Sequence, residues 1–389
     1  MSTSLRNSLP PEHDLMRGTV REFAESEIAP VVQELDEQEA FSLPLVKRMG
    51  EIGLFGIVAP PEYGGVGMDY LAYCIAVEEI ARIDVSHAIT VAAGNSLGIM
   101  PIVNFGSESQ KQQWLPRLCS GQMLASFALT EPGAGSDAGA SQTRARLQDG
   151  RWRIDGSKLF ITNSTSPMAG VCIVQAVTGK RDDGNKEISC ILVPAGTPGF
   201  TAKKMTGKMV WRSSDTGELF FDGCEVPEEN LLGERGEGFH QMLHTLDGGR
   251  LAIAAAALGG ARGAFELALK YAKQREQFGK PIATFQAISF KLADMATGIE
   301  AARALLYRAC RLKDSGRSFQ KQSAMAKLFC SELMGRVVDE AVQIFGAYGL
   351  LKEYRIERFY RDYKGLTIGE GTSEIQRLVI ARKIGCFDR

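Results

Sequence analysis

From Leu15 to Leu35, apolar residues recur at three- and four-residue spacing among Glu and Arg, as on one face of an amphipathic helix. Pro44 opens a second helical pattern in which Leu45, Met49 and Ile52 share a face. The Pro/Gly cluster Pro60–Gly67 predicts a turn, and Leu71–Ile83 and Ile89–Val103 read as further helices. From Leu124 to about Val226 the period shortens to two. The runs Thr143–Leu147, Trp152–Ile154, Val171–Val177, Ile188–Val193 and Glu218–Phe221 alternate and are bounded by turn pairs such as Asp149-Gly150 and Asp222-Gly223. That pattern predicts a small antiparallel β domain. From Gly236 the helical period returns. Arg250–Gln274 is Ala- and Leu-rich with a charged face, Gly279-Lys280-Pro281 breaks it, and Ala287–Asp314, Lys321–Phe345 and Ser373–Ile384 follow as helices. The chain reads as an α+β protein: a helical domain over 1–121, a β domain over 122–232 and a helical, bundle-forming domain over 233–389. There is no internal repeat.

Composition narrows the function classes. The 389 residues are 44% hydrophobic and 23% charged, enough for a sizeable core, and the net charge of −1 exerts no general pull on nucleic acid or anionic lipid. A phosphate-bearing ligand must then be held by local groups. The eight cysteines are widely and irregularly spaced with no C-x-x-C pair, which predicts buried, reduced thiols rather than a disulfide framework or zinc site. Met1–Pro11 is polar and predicts no secretory leader, and the apolar stretch near Ile253–Leu258 is too short to span a bilayer. These features together predict a cytoplasmic protein, or one of the mitochondrial matrix in the case of a processed eukaryotic form.

Four segments carry candidate chemistry. Leu129-Thr130-Glu131-Pro132-Gly133-Ala134-Gly135-Ser136-Asp137 combines glycines, which let backbone N–H groups approach an anion or flat ring, with flanking hydroxyls. Its Gly-x-Gly-x-x-Ala spacing meets a relaxed dinucleotide fingerprint, but the residues lead into a strand pattern instead of a helix, so a Rossmann reading fails. In Lys158-Leu159-Phe160-Ile161-Thr162-Asn163, Phe160 and Thr162 share a strand face, suited to stacking on a heteroaromatic ring with a hydrogen bond at its edge. Arg275 in Arg275-Glu276-Gln277-Phe278-Gly279 offers a guanidinium fork for a phosphate. Taken singly, an ordinary loop, a core Phe and a helix cap account for these three as well or better. The fourth is Gly369-Glu370-Gly371-Thr372-Ser373-Glu374-Ile375-Gln376: a carboxylate between two glycines, before a helix opened by a Ser373/Gln376 capping box, with Thr372 also available as the cap. The helix dipole favours its charged form and a closed apolar pocket opposes it, a combination suited to a base, although a solvated loop Glu is the common alternative. His240 and His244 lack the H-E-x-x-H pattern, and Gly233–Gly238 reads as a turn-rich linker.

In order and spacing, Thr130–Asp137, Arg275-x-x-Phe278-Gly279, Gln343-x-x-Gly346 and Glu370–Arg377 resemble the acyl-CoA dehydrogenase family from about Leu15 to Arg382. The resemblance implies an N-terminal helical domain, a central β domain, a C-terminal four-helix bundle, and FAD at their junction. It implies that Phe127, Leu129, Thr130, Gly135 and Ser136 line the flavin and the pantetheine, and that Phe160, Ile161 and Thr162 cover and hydrogen-bond the ring. Arg275, Phe278, Gln286, Gln343 and Gly346 would reach the FAD of a neighbouring subunit in a homotetramer built as a dimer of dimers. Thr372 and Glu374 would meet its diphosphate or adenosine region. Asp247, Arg250, Ser136 and Gly371 fall to the acyl-CoA substrate.

By the same resemblance, Glu370 takes the α-proton of the thioester while the β-hydrogen leaves as hydride to the flavin, giving a trans-2-enoyl-CoA. Electrons then pass to electron-transfer flavoprotein. Some branched-chain members carry the base one position before Arg250, where this chain has Gly249, so the loop base is favoured. Ala88 and Ala92 disfavour a glutaryl substrate. Gly249 and Gly369, the latter replacing a Tyr of several straight-chain members, predict room around the reacting carbons and a short-to-medium acyl group, branched or cyclic included. An acyl-CoA oxidase and a non-catalytic acyl-CoA-binding protein of the same fold remain the alternatives.

Overall fold

The computed structural model describes residues 9–387. The expectation of a leaderless N-terminus over Met1–Pro11 falls almost wholly outside them. The first domain comprises α1 (Pro11–Phe23), α2 (Val32–Gln38), α3 (Leu43–Glu51), α4 (Tyr70–Ala81), α5 (Val85–Ala92), α6 (Met100–Phe105) and α7 (Glu108–Cys119). Polar side chains start several of these helices where the sequence turns: Ser42, Asp69, Asp84 and Ser107 each accept from a backbone N–H three residues on. Every residue of α4 is buried, so it serves as the domain's central helix.

The middle domain is a sheet of β1 (Leu124–Ala128), β2 (Arg144–Gln148), β3 (Arg151–Thr162), β4 (Ala169–Lys180), β5 (Lys186–Pro194), β6 (Phe200–Lys204), β7 (Thr216–Pro227) and β8 (Leu231–Leu232), ordered β6-β7-β3-β2-β4-β5-β8. Most pairs are antiparallel as expected, but β1 runs parallel to β4, which pairs with β1 over its first half and touches β2 at Val177. The sheet forks at β4, and the loop Leu129–Thr143 emerges from the fork. Strand alternation divides the core: Val171 and Ile173 of β4 join the helical core, whereas Cys172, Val174 and Ala176 pack with Trp152, Ile154 and Phe221 on the other face.

The third domain contains α8 (Gly238–Gln274), a hairpin of β9 (Glu276–Gln277) and β10 (Lys280–Pro281), then α9 (Gln286–Asp314), α10 (Gln320–Phe345), α11 (Ile356–Ile368) and α12 (Ser373–Lys383). Helices α8 to α11 pack as the bundle and α12 leans on α10. The apolar stretch near Ile253–Leu258 lies inside the 37-residue α8. Val85–Phe105 and Gly238–Gln274 are both long and apolar enough to cross a membrane, contrary to the short-stretch expectation, but 72% and 78% of their apolar windows are buried within the protein. They are core helices.

A buried ion network joins the two helical domains. Glu79 of α4 accepts from Arg262 of α8 at 2.6 Å and from Arg21 of α1 at 3.1 Å, while Glu78 accepts from Arg262 at 2.6 Å and Arg303 of α9 at 3.1 Å. Burial pushes the Glu79 carboxyl up, but the guanidinium groups of Arg21 and Arg262 outweigh it and hold it at about 2. This depressed value contributes stability that is present above about pH 4.5 and is lost as pH falls toward 2. Glu79→Gln is expected to destabilise the protein by roughly 3 kcal/mol at pH 7. Denaturant unfolding should show that difference shrinking below pH 4.

Candidate active site

The Glu370 loop sits between α11 and α12. Glu370 and Gly371 adopt positive φ, +52° and +93°, which turns their carbonyls toward the helix that follows. Gln376 Nε2 donates to both, at 3.2 and 2.8 Å. The expected Ser373/Gln376 capping box is therefore replaced: Thr372 is the N-cap, its Oγ1 accepting from Ile375 N at 3.3 Å, and Ser373 is a buried first helical residue. Gln376 is drawn to the inverted carbonyls instead of the cap N–H.

The Glu370 carboxylate lies on α8 at Gly249. A Cβ there would overlap Oε2 and stand 2.8 Å from the carboxyl carbon. The space predicted around Gly249 is thus filled by the Glu370 carboxylate itself. The space at Gly369 is filled too, by Trp211, whose ring would be 3.3 Å from a Cβ. Neighbouring Gly248 faces the Tyr70 hydroxyl, 2.9 Å from where its Cβ would be. Glu370 Oε2 is enclosed and has no hydrogen-bond partner. Burial raises this carboxyl to about 7, with Arg250 and then Lys327 pulling the other way. Arg250 is 5% exposed and bonds Asp247 at 2.6 Å. Burial likewise raises the half-buried Asp247, against the pull of Arg250. Asp247, Arg250, Gly371 and Glu370 are therefore brought together.

The sheet fork forms a second part. Glu131 folds back beneath its own loop, accepting from Lys158 Nζ at 2.7 Å, Gln142 N at 2.7 Å and Thr143 N at 3.1 Å, while Lys158 also donates to Leu129 O. Leu159 N donates to Thr130 O at 2.9 Å, tying the loop to β3. Between Lys158 and Ile161 the β3–β7 register slips by one residue, a bulge with Phe160 at φ +60°. Phe160 is 62% exposed, Ile161 is buried and Thr162 half-buried, so Phe160 and Thr162 share a side across the bulge. Phe127 is buried in β1, Leu129 and Thr130 are half-buried, and Gly135 and Ser136 are exposed on the loop. The two parts are linked: Asn163 N donates to Asp215 O, and Trp211 N donates to Asp362 of α11 at 2.7 Å.

Arg275, Phe278, Gln286, Gln343 and Gly346 gather elsewhere, where α8 ends, α9 starts and α10 ends. Arg275 lies 5.6 Å over the Tyr348 ring, and Phe278 tips the β9–β10 hairpin at φ +53°, 93% exposed. Gln286, Gln343 and Gly346 are exposed there as well. Gly249 and Gln274 are separated by about 38 Å along α8 at 1.5 Å per residue. One chain does not bring this group to its own Glu370. Thr372 is half-buried and Glu374 exposed on the Glu370 loop and the helix after it. A separate cleft of about 670 Å³ between β2 and β4 is lined by Arg144, Arg146, Lys180 and Lys186, and contains no residue of the Glu370 loop.

The N-terminal, middle and C-terminal domain models of acyl-CoA dehydrogenases match residues 10–122, 126–224 and 236–385. The chain belongs to the acyl-CoA dehydrogenase family. It is 48% identical to the mouse mitochondrial short-chain specific acyl-CoA dehydrogenase over 96% of this chain and 90% of that one. It superposes on the butyryl-CoA dehydrogenase of Megasphaera elsdenii with a TM-score of 0.94 at 43% identity, covering 97% and 99% of the two chains. An acyl-CoA dehydrogenase of Bacillus anthracis solved with FAD gives 0.91 at 36% identity, covering 97% and 68%. The protein is an oxidoreductase acting on CH–CH bonds, with FAD as its cofactor. The residues fit that group: Phe160 presents an exposed ring at a strand bulge, and Gly133 and Gly135 have no atom within 4 Å of a Cβ position, leaving the loop backbone open to close approach.

Sequence reasoning missed Lys158, Trp211, Lys327 and the role of Gly249. Lysines inside helical or strand patterns look solvated, and only the fold shows them buried. Gly249→Ala is expected to displace the carboxylate by about 1 Å and lower turnover about 10²-fold, with circular dichroism and flavin content unchanged. Wild-type turnover in that variant would mean the carboxylate does not work from this position.

Proposed function

We propose that the protein dehydrogenates short straight-chain acyl-CoA thioesters to trans-2-enoyl-CoA, with Glu370 as the base. The observation carrying this reading is the enclosed Glu370 carboxylate on Gly249, near Arg250 and without a hydrogen bond. An unpartnered carboxylate out of water keeps its lone pairs for a proton. Glu370 takes the α-proton, and its main-chain N–H donates to the thioester carbonyl, favouring the developing enolate. FAD, when bound, supplies the acceptor for the β-hydride. Phe127, Leu129, Thr130, Gly135, Ser136, Phe160, Ile161 and Thr162 would hold its flavin end, Thr372 and Glu374 its diphosphate side. Ser136, Asp247, Arg250 and Gly371 orient the acyl-CoA.

Short chains are favoured by likeness to the mouse short-chain and M. elsdenii butyryl-CoA enzymes and by Tyr70, which closes on Gly248 beside the base. Branched and cyclic groups lose their rationale, since Glu370 and Trp211 fill the space that was to admit them. Electron-transfer flavoprotein is the proposed acceptor, and a homotetramer the proposed assembly, because Arg275, Phe278, Gln286, Gln343 and Gly346 would meet FAD only across a subunit boundary. The free thiols, seven of eight buried, suit the reducing cytoplasm.

Anaerobic addition of butyryl-CoA is expected to bleach the flavin absorbance, and Glu370→Gln to slow the bleaching by about 10³-fold or more. Turnover should rise with pH through about 7, as the base ionises. Persistent turnover in Glu370→Gln would reject it as the base. Phe278→Asp should cost the protein both its assembly and its FAD, read by light scattering and absorbance. A variant that keeps FAD while monomeric would reject the shared site.

A further inference from the structure

We infer that Lys327 is a positioning residue for this dehydrogenation, holding the Glu370 loop by one hydrogen bond and supplying positive charge beside the carboxylate. The inference rests on the reading of Glu370 as the base. Ser323 and Lys327 lie one turn apart on the buried face of α10. Ser323 Oγ donates to Asp247 O at 2.7 Å and Lys327 Nζ to Gly371 O at 2.8 Å. One helix face therefore ties the substrate end of α8 and the residue after Glu370 to a common support.

Lys327 is fully buried, and among the described residues it forms no salt bridge. Lysine is almost never buried without a carboxylate partner. A neutral donor would serve Gly371 O at less cost in desolvation, so the charge itself needs an explanation. Glu370 is the largest favourable charge acting on it. Arg250 of α8 opposes, and Glu374 of α12 and Glu332 of α10 add to the attraction. Glu370 in turn is faced by Arg250 from α8 and by Tyr70 and Tyr73 from α4. Burial lowers the Lys327 ammonium to about 8, so it remains charged while Glu370 ionises near 7.

The test is the pH dependence of butyryl-CoA turnover by the FAD-loaded enzyme, with the Glu370 carboxyl followed by infrared difference titration. Lys327→Gln keeps a donor but removes the charge. It is expected to move the ascending limb and the carboxyl titration up by about one pH unit, which lowers kcat about fivefold at pH 7, with recovery at high pH and KM little changed. Lys327→Arg should restore both. A Lys327→Gln enzyme slowed equally at every pH, with the carboxyl titrating as in wild type, would reduce Lys327 to a structural prop. If Lys327→Gln does not fold, Lys327→Arg decides: a displaced limb despite the retained charge overturns the inference. The Glu370→Gln control separates the two claims, since turnover surviving in it removes the base reading itself.

Discussion

The site depends on laying a carboxylate against a helix. Glu370 reaches α8 only because Gly249 has no side chain, and it approaches from a loop whose two positive-φ residues redirect the chain into α12. A β carbon at Gly249 would occupy the carboxylate's place. Several features follow from that contact. Gly248 admits Tyr70 beside it, Gln376 secures the inverted carbonyls, and Trp211 closes over Gly369 behind Glu370. The long α8 also serves as the common wall on which α4, α10 and α11 pack, so the carboxylate is referenced to a helix shared by both helical domains.

The same helix separates two functions by its length. Its early turns hold Asp247, Gly249 and Arg250, and its end presents Arg275 and the exposed Phe278 hairpin about 38 Å away by helical rise. A side chain as apolar as Phe278, held at positive φ and nearly free of contact, is strained and wetted unless another surface covers it. The fork of the sheet supplies a third element, a glycine loop held from below by Glu131 and Lys158 and flanked by the bulge at Phe160. In the proposed assembly the cofactor's contacts would be divided among these elements, which no single chain gathers.

Local pattern made the domain order, most helices and the longer strands legible, and the motifs around Thr130 and Glu370 stood out because glycine next to a polar residue is a local signal. What could not be read was non-local. The parallel pairing of β1 with β4 depends on a crossover that no short window contains. Helix α11, Ile356–Ile368, is crowded with charged and aromatic residues that hide its apolar face, although Ile356, Phe359 and Leu366 are buried on it. The glycines at 249 and 369 were read as vacant space because an absent side chain says nothing of what enters from elsewhere. The burial of Lys158 and Lys327 is non-local in the same way.

A comparison of two glutamates in this chain explains why burial raises one and leaves the other ionised. Glu131 and Glu370 both have a buried lysine nearby and both are raised by burial. Glu131 receives Lys158 directly at 2.7 Å, together with backbone N–H donors and the Ser141 hydroxyl, and these bonds overcome burial and hold it at about 2. Such a carboxylate is engaged by four donors and held in its charged form. Lys327 bonds the carbonyl of Gly371 instead of the carboxylate, and Arg250 is engaged by Asp247. The two cations act on Glu370 through the field alone, which limits the rise to about 7 without occupying the oxygens. Direct contact with either cation would give Glu370 the kind of partner that holds Glu131 ionised. The separation between charge and carboxylate, more than the presence of charge, therefore distinguishes the two glutamates and is what the proposed base role draws on.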